Sequence, residues 1–325
     1  MIRVLSGVRH LHVSTMKQTV SELSIPVPWG AISGKVWGPD HGYPVLCLHG
    51  WADNCGTFNN LIPLLPKECR YVAVDLPGHG RSSHRPPGVL YSFPLYVMDV
   101  RRVIDALQWN KFSIIGHSMG GNIGMLFSSL YPEMVDSLVL LDCYGFVPAD
   151  GNEHPGIMKR GFEEMLQFDK QGREKPKVYT YEKSVERLMT ANPSLSEQSA
   201  QTLLERGLSQ VEGGVVFSRD FRINLTNVVR ITLEQSLIAL SKIEASVLVV
   251  LAEDGFVKLY PKYEKFKSAL LQAYLDRNNK VMMVPGNHHI HLTNAEAVAP
   301  HLSDFLQKNV LSQSADQTNQ QTPKL

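Results

Sequence analysis

Three stretches of this chain hold residue types that work together in acyl-transfer chemistry. The first is Gly116-His117-Ser118-Met119-Gly120-Gly121. It follows the short apolar run Phe112 to Ile115 and leads into a helix-like segment from Asn122. A serine between glycines at a strand-to-helix turn is held in a strained conformation with its hydroxyl projecting, because the two backbones approach too closely there for side chains. Ser118 is the candidate nucleophile. A serine hydroxyl is a weak nucleophile at neutral pH and needs a base to take its proton. The second stretch, Gly286-Asn287-His288-His289-Ile290-His291-Leu292, supplies one. Of the twelve histidines in the chain, His288 is the first candidate base and His289 the second, since a loop after a final strand carries them back over the serine. His117 reads as a packing residue. The third stretch, His49-Gly50-Trp51, follows the apolar run Pro44 to Leu48. The charge that develops on an attacked carbonyl oxygen needs fixed donors. The backbone N–H of Met119, at a helix start, and that of Trp51 are the candidates.

These residues need a scaffold that brings them to one place, and the chain alternates strand-like and helix-like segments in the way that does so. Ile25 to Trp37 predicts two strands joined at Trp29-Gly30, the first confined to a sheet edge by Pro26 and Pro28. Strands are predicted at Pro44 to Leu48, Tyr71 to Val74, Phe112 to Ile115, Met134 to Leu141, Val247 to Leu251 and Lys280 to Val284. Helices are predicted over Thr57 to Leu65, Phe93 to Leu107, the segment after Ser118 to Tyr131, Lys262 to Asp276 and Ala295 to Leu306. Such alternation implies an α/β fold with a mostly parallel central sheet, covered on both faces, with ligands at the carboxyl ends of the strands. Each motif above immediately follows a strand, so all face one crevice. Residues 146 to 242 lack central-type apolar runs and read as an inserted helical cap, with Ser196 as the N-cap of a helix to Arg206. The divisions are then a basic lead-in at 1–21, a core at 22–145 and 243–308, the cap, and a tail at 309–325.

Composition narrows the partners. The net charge is +1 with 43% hydrophobic and 19% charged residues, which gives no footprint for nucleic acid or an anionic membrane surface. No apolar run reaches the roughly 18 residues of a membrane span. Cys47, Cys55, Cys69 and Cys143 show no metal-ligand spacing, and no cofactor or metal motif is present. Gly116 to Gly121 is no phosphate cradle either, because no Lys-Ser/Thr pair follows it. Residues 1–21 are basic and weakly like a transit peptide. The Gln/Ser/Thr/Asn-rich tail from Ser312 has a disordered composition and ends in Pro323-Lys324-Leu325, a variant of the peroxisomal S-K-L address. That ending predicts an import receptor as a partner, and peroxisome or cytoplasm ahead of mitochondrion.

The series His49-Gly50-Trp51, Asp75-Leu-Pro-Gly-His-Gly-Arg-Ser82, Gly116-His-Ser-Met-Gly-Gly121 and Gly286-x-His288 resembles the α/β-hydrolase superfamily over about residues 22–308. Within it, Val27-Pro-Trp-Gly-Ala31, Leu46-Cys-Leu-His-Gly-Trp51 and Pro285-Gly-Asn-His-His289 are similar to the serine hydrolase-like proteins of animals. The resemblance implies a cofactor-independent serine hydrolase of the carboxylesterase or lipase type, acting on an ester or thioester with a hydrophobic group. A binding protein that retains the fold with little or no turnover is the alternative. Epoxide and haloalkane chemistry is disfavoured, because that branch places a carboxylate where this chain has Ser118. The superfamily's usual acid follows the seventh strand as G-x-x-D. Here Ala252-Glu253-Asp254-Gly255 puts Gly255 at the acid and Asp254 one position early. Asp142, at the end of the sixth strand, is where other members keep theirs. Both aspartates remain candidates. Phe162, Met165, Leu166, Phe168, Leu188 and Met189 of the cap are candidates for an apolar roof over the substrate, or for the cap's own core.

Overall fold

A computed structural model describes residues 20–171, 176–259 and 261–312. Most of the basic lead-in and the Pro323-Lys324-Leu325 ending lie outside the described residues. Among the described residues are ten strands: β1 (Val20–Val27), β2 (Gly30–Trp37), β3 (Tyr43–Leu48), β4 (Cys69–Val74), β5 (Phe112–His117), β6 (Val135–Leu141), β7 (Leu208–Val211), β8 (Gly214–Phe217), β9 (Ser246–Asp254) and β10 (Lys280–Asn287). Eight of them form one sheet in the order β1-β2-β4-β3-β5-β6-β9-β10. The β1–β2 and β2–β4 pairs are antiparallel, and every later pair in the sheet is parallel. The prolines fit this placement, since β1 is an edge strand.

The helices follow from the apolar spacing. They are α1 (Phe93–Leu107), α2 (Met119–Leu130), α3 (His154–Gln171), α4 (Tyr181–Ala191), α5 (Glu197–Gly207), α6 (Leu233–Ser241), α7 (Phe256–Leu259), α8 (Glu264–Leu275), α9 (Ile290–Thr293) and α10 (Ala299–Leu306). On α1, Val97, Val100, Val103 and Ile104 recur at helical spacing and are buried against one face of the sheet, with Ile114 and Leu138. On the other face, Cys47, Ile115, Val139 and Leu248 pack with Leu302 and Phe305 of α10. Central strands buried on both faces explain why β3, β5, β6 and β9 read as unbroken apolar runs.

Three predicted elements differ. The helix expected over Thr57 to Leu65 is two 3-10 turns, Cys55–Phe58 and Ile62–Leu64. Pro63 has no N–H to donate, so an α-helix there would lose a hydrogen bond and clash with the preceding turn. Between β6 and β9, α6 packs on α2 and α8 with Leu240 in the core, and only α3 to α5 lie in the segment called the cap below, which also holds the antiparallel β7–β8 hairpin. Its turn passes through Gly213 at φ +84°. The last helix is interrupted, a 3-10 turn at Ala295–Ala297 preceding α10.

Two arginines fasten the cap to the core. Arg206, at the end of α5, is fully buried; its Nε and Nη2 donate to Asp75 Oδ2 at 3.0 and 2.8 Å, and its Nη1 donates to both oxygens of Glu22 at 2.8 Å. Asp75 also accepts the backbone N–H groups of Cys55 and Arg81. The Asp75 to Ser82 loop is therefore the mount on which the cap is fixed. Arg222 donates to Asp220 and to the carbonyls of Arg85, Pro86 and Val89. Removing one member of a buried pair strands the other's charge. Arg206→Met should cost about 3–5 kcal/mol in a denaturant titration, while Arg81→Met, in an exposed pair with Glu22, should cost no more than about 1 kcal/mol.

Candidate active site

The turn after β5 carries Ser118 at φ +50°, a conformation that a non-glycine residue adopts only when its surroundings enforce it. The enforcement is steric. A Cβ on Gly120 would lie 2.0 Å from the carbonyl oxygen of Leu48, and one on Gly116 would lie 2.5 Å from Cα of Gly121. The strand, the helix and the loop after β3 meet at backbone contact. Ser118 N–H donates to Leu141 O at 3.0 Å, and the Ser118 carbonyl starts α2 by accepting from Gly121 and Asn122. The N–H of Met119 opens α2, where backbone donors have no intrahelical acceptor. α2 therefore begins one residue after the nucleophile candidate, three residues earlier than the predicted segment at Asn122.

His288 lies in the turn that follows β10. Its Nε2 is 3.1 Å from Ser118 Oγ, and its Nδ1 is 2.5 Å from Asp142 Oδ2. Asp142 is almost completely buried, and His288 is nearly so, at 13% side-chain exposure. The carboxylate is held firmly: Oδ1 accepts the Ala252 N–H at 2.9 Å and Oδ2 accepts the Phe256 N–H at 2.6 Å. An ionised carboxylate only accepts, so the His288 proton sits on Nδ1 and leaves Nε2 free to accept from Ser118.

Asp142 is brought to His288 and Asp254 is not. β9 runs on to Asp254, whose side chain is 63% exposed and pairs with Lys258 at 2.5 Å. Gly255 explains the altered motif: a Cβ there would sit 2.3 Å from both carboxylate oxygens of Asp142. The glycine at the usual acid position makes room for an acid arriving from β6. Asp142 itself is at φ +47°, its N–H donating to Val250 O at 2.7 Å, so the chain turns sharply to aim this side chain.

The remaining sequence candidates fall around this row. Trp51 stands in the loop after β3, 52% exposed as a residue, its indole Nε1 donating to the carbonyl of Ile223 at 2.9 Å. It thus links that loop to the cap. His49 is buried; its Nε2 accepts the Leu76 N–H at 2.9 Å, so Nδ1 carries the proton and donates to Gly50 O at 2.7 Å. His117 is buried and donates from Nε2 to the backbone carbonyl of His288 at 2.8 Å, tying the serine turn to the histidine loop. His289 turns away from Ser118 toward Asp53. The cap residues divide. Leu188 and Met189 pack with Val185, Ala200 and Leu204 in the cap's own core. Met165 is buried, Phe162 and Leu166 are exposed, and Phe168 stacks on Phe221 at 5.9 Å. Asp53 and Phe221 carried no motif in the sequence; only the fold shows their neighbours. All four cysteines are free and buried. Among the described residues no cluster of His, Cys, Asp and Glu is arranged to hold a metal, and no helix is long and apolar enough to cross a membrane.

A mostly parallel sheet with a serine at the strand–helix turn, a histidine after the last strand and a buried acid between them defines an α/β hydrolase. A family model described as alpha/beta hydrolase fold matches residues 43–295, and the chain belongs to that family. Within it, the chain is close to the animal serine hydrolase-like proteins. It is 51% identical to the serine hydrolase-like protein of Danio rerio, with all of both chains covered. It is 39% identical to serine hydrolase-like protein 2 of Homo sapiens, over 89% of this chain and 94% of that one. Among solved structures, a hypothetical protein from Pseudomonas aeruginosa is 32% identical with a TM-score of 0.78, covering 88% of this chain and 99% of that one. The thioesterase domain from the curacin biosynthetic pathway shares the fold, with a TM-score of 0.73 at 24% identity over 87% of this chain and 98% of that one. Fold and relatives together make the protein a hydrolase.

The close approach at the turn is testable without a substrate. Gly120→Ala places a methyl group against the Leu48 carbonyl, so denaturant unfolding should show a loss of at least about 1–3 kcal/mol. Gly88→Ala, where a Cβ meets nothing within 4 Å but φ is +77°, measures the backbone strain by itself.

Proposed function

We propose that this protein is a cofactor-independent serine hydrolase that cleaves an ester or thioester bearing a hydrophobic group, through an acyl-enzyme. The observation that carries the reading is the continuous row Asp142 Oδ2, His288 Nδ1, His288 Nε2 and Ser118 Oγ, with separations of 2.5 and 3.1 Å. Ser118 Oγ attacks the substrate carbonyl as His288 Nε2 takes its proton. Asp142 holds the imidazole in its Nδ1–H tautomer and stabilises the imidazolium that forms. The tetrahedral oxyanion is stabilised by the backbone N–H groups of Met119 and Trp51, the first aided by the positive end of α2. His288 then protonates the leaving group. Water enters, gives its proton to His288, and frees the acid from Ser118.

The apolar preference is supported by Trp51, Phe168 and Phe221, with Phe162 and Leu166 presented on α3. The alternative of a fold that binds without turnover drew on the missing G-x-x-D acid. Asp142 beside His288 supplies the group which that reading took to be absent.

Covalent labelling tests the assignment. A fluorophosphonate probe should label the wild-type protein and Asp254→Asn at similar rates, and leave Ser118→Ala unlabelled. Asp142→Asn should lower turnover of p-nitrophenyl esters by on the order of 10⁴-fold. A folded wild-type protein that resists the probe would remove the hydrolase mechanism. Loss of labelling in Asp254→Asn with retention in Asp142→Asn would reverse the acid. With p-nitrophenyl acetate, butyrate and octanoate, kcat/KM should rise with chain length, by about tenfold for each 1.4 kcal/mol of added apolar binding; a profile falling from acetate onward would exclude the cap as an acyl site.

A further inference from the structure

A second carboxylate–imidazole cluster lies directly behind the Ser118 row. Asp53, in the loop after β3, is buried at 8% exposure. Its carboxylate meets two imidazoles: His289 Nε2 at 3.2 Å from Oδ2 and 3.4 Å from Oδ1, and His117 Nδ1 at 3.6 Å from Oδ2. The two contacts differ in kind. His117 Nε2 faces the carbonyl of His288, which can only accept, so Nε2 carries the proton of neutral His117. Its Nδ1 then offers a lone pair toward Asp53 and makes no hydrogen bond. His289 is therefore the group that donates to Asp53. A buried carboxylate without a balancing positive charge is expensive, and the balance here falls to His289.

Resting on the hydrolase reading above, we propose that the His289–Asp53 ion pair is a clamp that positions the oxyanion loop against the catalytic histidine loop. Both are positioning residues. Asp53 N–H donates to Gly50 O at 3.3 Å, closing the turn that contains Trp51, and Ala52 within that turn is at φ +63°. Fixing the Asp53 carboxylate thus fixes the Trp51 N–H proposed to face the oxyanion. On the other side, His289 adjoins His288, and its carbonyl accepts the N–H groups of Leu292 and Thr293 to start α9. His117 completes the tie through the His288 carbonyl. The loops after β3, β5 and β10 are joined at Asp53.

The titratable groups facing His289 are Asp53 from the oxyanion loop, His117 from β5, His288 from the turn after β10, His291 from α9 and, further off, Asp142 from the end of β6. Arg219 of the cap also senses Asp53. Burial alone would lower His289, but the charge of Asp53 and its hydrogen bond raise it above the ordinary histidine range. Burial acts to raise Asp53, and the charge of His289 with its hydrogen bond holds it well below the usual carboxylate range. Burial takes His117 down to about 4 despite Asp53, and holds His291 well below the ordinary histidine value, helped by His117 and His289. These two stay neutral at physiological pH. The stabilisation linked to His289 is therefore whole below the ordinary histidine pKa and disappears as pH rises through the raised value. That linked to Asp53 is whole above its ordinary range and disappears as pH falls through the depressed value.

The test is the pH profile of p-nitrophenyl butyrate hydrolysis by the full chain, alongside ¹⁵N-histidine NMR. Wild-type kcat/KM should rise along an acid limb, then fall at alkaline pH with the same midpoint that NMR gives for His289. His289→Gln keeps a donor without a charge. It should lose the alkaline fall, keep the acid limb, and lower kcat by about tenfold or more with KM within about twofold, as expected for a displaced donor. Asp53→Asn is the milder second variant: it should move the His289 midpoint, and the alkaline fall with it, to lower pH. An alkaline limb unchanged in His289→Gln, or a His289 midpoint unchanged in Asp53→Asn, overturns the clamp. A wild-type protein that neither hydrolyses the ester nor takes the fluorophosphonate defeats the hydrolase reading instead. The NMR comparison of wild type and Asp53→Asn still decides then whether the ion pair exists, and its absence overturns the clamp independently.

Discussion

Everything at this site depends on how closely three backbones approach one another around Ser118. The carbonyl of Leu48 lies where a Cβ of Gly120 would be, and the strand and helix flanking the serine touch through Gly116 and Gly121. That crowding holds Ser118 at φ +50° and lifts its hydroxyl out of the sheet. The same approach brings the loop carrying Trp51 to the start of α2, as the proposed oxyanion site requires. Strain of this kind persists only where the surroundings over-determine it. Here they do: β5 is buried along its whole length, and Ser118 is tied to β6 through Leu141.

A second strained residue is matched to the first. Asp142, at φ +47°, turns off β6 toward β9, where the N–H groups of Ala252 and Phe256 receive its carboxylate and the absence of a side chain at Gly255 admits it. The acid is thus built from two adjacent strands, one contributing the side chain and the other the cradle. His288 arrives just past the end of the next strand, β10, and needs only to reach across. Parallel topology makes this arrangement economical, because all three groups leave the sheet at the same edge.

The fold and the strained serine turn were legible because they follow from local signals: apolar runs of strand length, helical spacing on α1, and glycines around a serine. The acid was less legible. A one-residue register in Ala252-Glu253-Asp254-Gly255 does not reveal whether Gly255 displaces an acid or accommodates one, since the deciding neighbour is more than a hundred positions away. Short elements with weak apolar patterns were also hidden, as in the β7–β8 hairpin, where Ser209 and Gln210 interrupt any run. Pro63 was a visible signal against the helix expected at Thr57 to Leu65. The cap fasteners Arg206 and Arg222 and the Asp53 cluster are polar residues paired across long separations, and nothing in their immediate sequence points to their partners.

The central claim is that Ser118 carries an acyl group through the reaction. The most direct measurement is intact-protein mass spectrometry in the milliseconds after mixing with p-nitrophenyl butyrate, followed by peptide mapping. The proposed mechanism predicts a transient gain equal to one butyryl group, located on Ser118 and absent from Ser118→Ala. Hydrolysis with no acylated species at any time, or an acyl group mapped to another residue, would contradict it.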